Sequence, residues 1–256
     1  MQIYALDHNS LSVHARGAKR GTGYTCPECS QEVRIRGGVS RQPHFYHLSA
    51  TSCIMQGKSL IHLQIQYALQ KMLSPEQILL EHRFPQIGRV ADVVWPAQKL
   101  VFEVQISPIS APEVLARNRD YSKEGYQVVW ILHDRRFNRP RITGAERALR
   151  YSPHYFTNIN AFGKGFFYDQ HAHFHFKRRK ARSPRFPIHF KQVLPVNPKQ
   201  LPGHFPDTRK QWPISFKGDL FQQKVQWQAP SKPSWTLSLR RFFRSLHYLL
   251  LEKTTF

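Results

Sequence analysis

Three carboxylates and one amide stand inside apolar runs of this chain, where charge is costly: Glu81, Asp92, Glu103 and Gln105. Asp92 lies in Arg89-Val90-Ala91-Asp92-Val93-Val94-Trp95, and the other pair in Lys99-Leu100-Val101-Phe102-Glu103-Val104-Gln105-Ile106-Ser107. Both arms are rich in Val, Ile and aromatics, and Pro96-Ala97-Gln98 between them can close a hairpin, so the pattern predicts two adjacent strands. A carboxylate in a half-buried strand is unfavourable unless a partner or a cation neutralises it. Strand alternation puts Glu103 and Gln105 on one side, and the hairpin can bring Asp92 beside them. Two converging carboxylates repel, and one pKa rises. A divalent Mg²⁺ or Mn²⁺ bound to Asp92 and Glu103 removes that conflict, since such ions take hard oxygen ligands. The chemistry implied is metal-assisted phosphodiester hydrolysis, the ion polarising the ester and acidifying an attacking water. Gln105 would orient that water or a phosphate oxygen, and Glu81 would add a metal contact or hold a water.

A second ligand set precedes the first. Cys26-Pro27-Glu28-Cys29 is followed by His44-Phe45-Tyr46-His47, two thiols and two imidazoles that suit a closed tetrahedral Zn²⁺ site of ribbon or knuckle type. Cys53 is the substitute ligand if His44 points elsewhere. Such a site is structural, because four protein ligands leave the ion no vacancy for substrate.

The elements that must position these groups follow from periodicity. Residues 2–14 read as short strands. Ser59 to Leu73 forms a helix with a broad apolar face, stopped by Ser74-Pro75. Strands follow over Gln77 to Phe84, Arg89 to Trp95 and Lys99 to Ser107, then a helix over Ala111 to Gly125 and a strand over Gln127 to Leu132. This is an α/β unit whose last strand runs parallel to the one before the second helix. His62, on the first helix, can carry a proton or donate to a phosphate. Arg117 and Tyr121, four apart on the second helix, share a face from which they can approach the site or its phosphate.

Composition sets the class of partner. A formal net charge of +22 favours a polyanion, nucleic acid before membrane. The three cysteines are odd in number and two of them form Cys-x-x-Cys, which argues against a disulfide framework. There is neither a signal peptide pattern nor an apolar run long enough to span a bilayer, so a cytoplasmic protein is expected. From residue 151 onward, 18 lysines and arginines face 4 acids, interleaved with rings and prolines. The densest patch, including Lys177, Arg178, Arg179 and Lys180, suits single-stranded nucleic acid. Leu237 to Lys253 reads as a terminal amphipathic helix. The organisation expected is an N-terminal segment over 1–56, an α/β core over 57–150 and a basic C-terminal region over 151–256.

Glu81, Asp92 and Glu103-Val104-Gln105 together resemble the PD-(D/E)xK nuclease pattern, with Gln105 where lysine is commonest. Arg89-Val90-Ala91-Asp92-Val93, Phe102 through Ser110, Arg117 through Tyr121, Val128 through Leu132 and the N-terminal Cys and His motifs are similar to the competence protein CoiA family. The resemblance implies a restriction-endonuclease-like core in the order αβββαβ behind a zinc-ribbon-like segment. It also implies action on DNA in natural transformation, beside competence or recombination proteins. Within that pattern an acidic residue is expected just before Ser59 and a lysine one turn after His62; this chain has Lys58 and Gln66. The alternative is a DNA-binding processing factor that keeps the nuclease-like frame without cleavage.

Overall fold

The computed structural model describes residues 1–38, 41–49, 53, 55, 58–73, 77–175, 178–197 and 212–221. Lys177 and the expected helix over Leu237 to Lys253 lie outside these residues. The N-terminal strands β1 (Tyr4–Leu6), β2 (Ser12–His14), β3 (Tyr24–Thr25), β4 (Glu32–Gly38) and β5 (Arg41–His47) form one sheet in the order β2-β1-β3-β4-β5.

The expected order of helix, three strands, helix and strand follows: α1 (Leu60–Leu73), β6 (Leu79–Phe84), β7 (Arg89–Trp95), β8 (Leu100–Gln105), α2 (Ala111–Lys123) and β9 (Gln127–His133). Sequence starts the flanking strands earlier, at Gln77 and Lys99, and ends β8 later, at Ser107. The turn before β8 takes Lys99 at a φ of 53°, and Gly88 supplies the same left-handed corner before β7. Strand β9 runs parallel to β8, as the intervening helix requires. Ser110 caps α2 by accepting the Glu113 N–H.

The sheet continues beyond this unit. After α3 (Gly144–Ala148) come β10 (His154–Thr157), β11 (Phe167–Asp169), β12 (Ala172–His175), β13 (Arg178–Arg182), β14 (Phe186–Pro187), β15 (His189–Pro195) and β16 (Ile214–Lys217). Strands β10, β11 and β14 join the central sheet, giving β14-β11-β10-β9-β8-β7-β6, with β10 parallel to β9. One face is covered by α1 and the β15–β16 pair, whose Phe190 and Phe216 meet edge to face at 4.9 Å and pack with Phe102 and Tyr155. The other face is covered by α2 and α3, with Tyr121 of α2 in the same buried cluster as Trp130 of β9. Burial on both faces explains the near-continuous apolar sequences of β7, β8 and β9. Among the described residues no helix is long and apolar enough to cross a membrane.

Candidate functional site

The site opens where the central hairpin parts. The β7–β8 ladder runs from Trp95↔Leu100 to Val93↔Phe102. At the next position the Asp92 side chain, through Oδ2, accepts the Val104 N–H at 2.9 Å. Its other oxygen, Oδ1, accepts from Lys58 Nζ at 2.9 Å and lies 2.8 Å from His62 Nε2. Gln66 Nε2 donates to the Asp92 carbonyl at 3.0 Å. Lys58 lies just before α1 and His62 and Gln66 lie on it, its first turn fixed by Ser59 Oγ accepting the His62 N–H. Burial alone would raise the Asp92 carboxyl, but His62, Lys58 and the Val104 N–H hold it well below the usual carboxylate range.

Glu103 lies on the α2 side and is 1% exposed. Its Oε1 accepts from the Tyr121 hydroxyl and its Oε2 from Arg117, both at 2.6 Å. Burial first, and the Asp92 charge second, push the Glu103 carboxyl up despite these donors. The repulsion expected between the two acids therefore falls on Glu103. Arg117 also donates to Glu113, which Arg89 joins at 2.8 Å while holding Asp120.

Glu81 occupies a left-handed backbone position, φ 50°, between the pairs Leu80↔Val93 and His82↔Ala91. For a residue with a Cβ that conformation carries a strain of roughly 1–2 kcal/mol. Its carboxylate ties two segments together: Oε1 accepts from Lys58 at 3.2 Å and Oε2 from the buried Ile3 N–H at 3.0 Å. The Gln105 amide donates to Ser107, at 2.7 Å to the carbonyl. Tyr121 is fully buried with its hydroxyl on Glu103, so it steadies that acid and does not reach a phosphate in solvent. Arg117 lines the cleft.

That cleft, about 680 Å³, is lined by Lys58, His62, Arg89, Arg117, Arg135 and Arg136, with Asp92 the one carboxylate among its described lining residues. Arg135 and Arg136 are exposed and follow β9 directly. The sequence marks their loop as basic, but only the parallel pairing of β9 with β8 brings it to the carboxylates. In the C-terminal patch, Arg178 and Lys180 are exposed on β13. Arg179 corrects the expectation for that patch: its guanidinium is buried, 2.7 Å from Glu146 Oε1, and also donates to the Arg139 carbonyl.

The chemistry of the two ligand sets differs. As placed, Asp92 and Glu103 do not fit a divalent ion. All four of their carboxylate oxygens face protein donors, two of them cationic. Among the described residues, only the Cys26, Cys29, His47 and Cys53 set gathers three or more ligand atoms mutually within 4.8 Å. That set does fit zinc. A Zn–S bond of about 2.3 Å in a tetrahedron places sulfurs about 3.8 Å apart, and Cys26 Sγ and Cys53 Sγ are 3.7 Å apart, with Cys29 Sγ 3.3 Å from His47 Nε2. His44 is replaced by Cys53. It is buried with Nδ1 2.9 Å from the Gln42 carbonyl, and a three-residue offset along β5 puts His44 and His47 on opposite faces.

Two family models match the chain: competence protein CoiA, N-terminal domain, over residues 7–56, and competence protein CoiA, nuclease-like domain, over residues 58–181. The chain belongs to the competence protein CoiA family. Among curated relatives, "Competence protein CoiA" of Bacillus subtilis (strain 168) is 26% identical over 122 residues, which is 45% of this chain and 33% of the relative. The chain thus covers about a third of that CoiA relative's length. No solved structure matches. Glu81, Asp92, Glu103, Arg117 and Tyr121 all lie within the CoiA nuclease-like match, and Cys26, Cys29, His47 and Cys53 within the CoiA N-terminal match.

Proposed function

We propose that this CoiA-family protein acts on DNA in natural transformation by holding the sugar–phosphate backbone in the cleft between α1 and the Arg135–Arg136 loop. The observation that carries this reading is the cation balance of the cleft: Lys58, Arg89, Arg117, Arg135 and Arg136 against Asp92. Arginine forks take two phosphate oxygens at once, and a lysine ammonium acts as a point charge. Arg135 and Arg136 are the exposed members and make first contact, while the others are braced by Asp92, Glu103, Glu113 and Asp120. His62, held against Asp92, can donate a hydrogen bond to a bound phosphate.

Binding of labelled single- and double-stranded oligonucleotides, followed by fluorescence anisotropy, tests this. Each phosphate left without its cation lowers the salt slope by about one, so the double change Arg135→Ala with Arg136→Ala is expected to lower it by about two and to weaken binding roughly tenfold or more. Unchanged affinity and slope would remove the cleft from the DNA-binding surface.

A second reading, hydrolysis of the backbone, is favoured by one observation: Asp92 and Glu103, each buried, act on one another beside this cleft within a nuclease-like domain. Incubating the protein with both kinds of DNA and Mn²⁺ or Mg²⁺ decides between the two. Cleavage that disappears in Asp92→Asn and Glu103→Gln establishes hydrolysis; binding without cleavage leaves the holding role.

A further inference from the structure

We infer that Lys58 is a tethered cation that stands where a divalent ion would otherwise neutralise Asp92 and Glu81, so that the cleft does its work without Mg²⁺ or Mn²⁺. The Lys58 ammonium is 2.9 Å from Asp92 Oδ1 and 3.2 Å from Glu81 Oε1. Its side chain is 12% exposed, and the two carboxylates are more deeply buried still. Three acids, Glu81, Asp92 and Glu103, already face Lys58 and Arg117, with His62 against Asp92. Adding an ion of charge +2 beside Asp92 would leave the buried group with excess positive charge next to an ammonium held by both partners. The two kinds of cation are not equivalent. An ammonium offers three N–H donors and attracts a phosphate, but it has no coordination position for water and cannot turn water into a nucleophile as a metal does. Gln105, engaged with Ser107, brings no second cation to the place.

Zinc-loaded protein is titrated with Mn²⁺, and the free ion is followed by electron paramagnetic resonance. The wild type is expected to take up no more Mn²⁺ than Asp92→Asn. Lys58→Met, which removes the charge and keeps the length, is expected to gain a site about a hundredfold tighter. That site should be absent from Lys58→Arg and from Lys58→Met combined with Asp92→Asn. Uptake by the wild type that depends on Asp92 overturns the inference, as does a folded Lys58→Met protein that gains no site. If Lys58→Met does not fold, the wild type against Asp92→Asn decides alone. The inference rests on the DNA-holding reading only for its second readout, an anisotropy-measured DNA affinity that does not require Mn²⁺ and falls with it only as added salt lowers it. Absence of any DNA binding would end that reading and leave the outcome of the Mn²⁺ titration untouched, whereas binding that requires Mn²⁺ would overturn the inference itself.

Discussion

Replacing Cys53 with serine is expected to strip zinc from the N-terminal cluster and unravel the five-stranded sheet, the largest effect foreseen for any substitution here. The buried core of that sheet is only Ala5, Ala15, Tyr24, Cys26, Val33 and Phe45, and three of its strands are two or three residues long. Such a core cannot by itself offset the entropy of ordering the chain. Structural zinc can, since its binding contributes about 10–16 kcal/mol in small folded units at neutral pH. Without metal, burial and the neighbouring sulfurs push the Cys53 thiol up to about 12. Zinc must therefore displace a tightly held proton, and its affinity is expected to fall as pH is lowered. Elemental analysis with circular dichroism checks the point: wild type near one zinc per chain, Cys53→Ser depleted and less ordered, and His44→Ala still loaded. Equal zinc in wild type and Cys53→Ser would exclude Cys53 as a ligand.

The second large effect is at Asp92. Asp92→Ala should lower unfolding stability by about 3–5 kcal/mol, because it leaves the buried Lys58 ammonium with Glu81 as its one carboxylate partner and the Val104 N–H without an acceptor. Urea unfolding measures it. Asp92→Asn should be milder, since one oxygen survives to accept a bond. The pH dependence has a definite sign. The Asp92 carboxyl is lowered in the fold, so its contribution is complete above the ordinary aspartate pKa and fades as pH falls through the lower folded value. Glu103 is raised, so its ionisation opposes folding as pH climbs toward its folded value. A loss of activity in Asp92→Ala is therefore read as chemistry only when Asp92→Asn, shown to be folded, loses it too.

What the sequence made legible follows from pattern strength. The apolar runs of β7, β8 and β9 and the Pro96-Ala97-Gln98 turn before β8 carry strong signals, and the element order follows from them. Asp92 and Glu103 stand out because acids in such runs need partners. Three of their partners, His62, Arg117 and Tyr121, are expected from the sequence to approach the site from the two helices; Lys58 is not legible as one. Lys58 lies outside any periodic element, and its role depends on how α1 docks across the sheet. His44 misled because two histidines near two cysteines look like a ligand set until β5 is recognised as a strand and alternation separates them. Strands β10, β11 and β14 are two to four residues long, too short for alternation to announce that they extend the central sheet. Arg179 looked like part of a solvent-facing run, and only the tertiary position of Glu146 buries it.

The link between Ile3 and Glu81 ties the start of the chain, ahead of both family segments, to the nuclease-like part. Ile3 is fully buried among Leu63, Ile65 and their neighbours, its N–H satisfies Glu81, and Arg83 pairs with Glu28 across the same seam. A fragment beginning at Lys58 would carry a hole where Ile3 belongs and a carboxylate deprived of its amide, on the strand that also steadies the ammonium. The nuclease-like part thus borrows part of its core, and one hydrogen bond to the carboxylate that also accepts from Lys58, from the start of the chain.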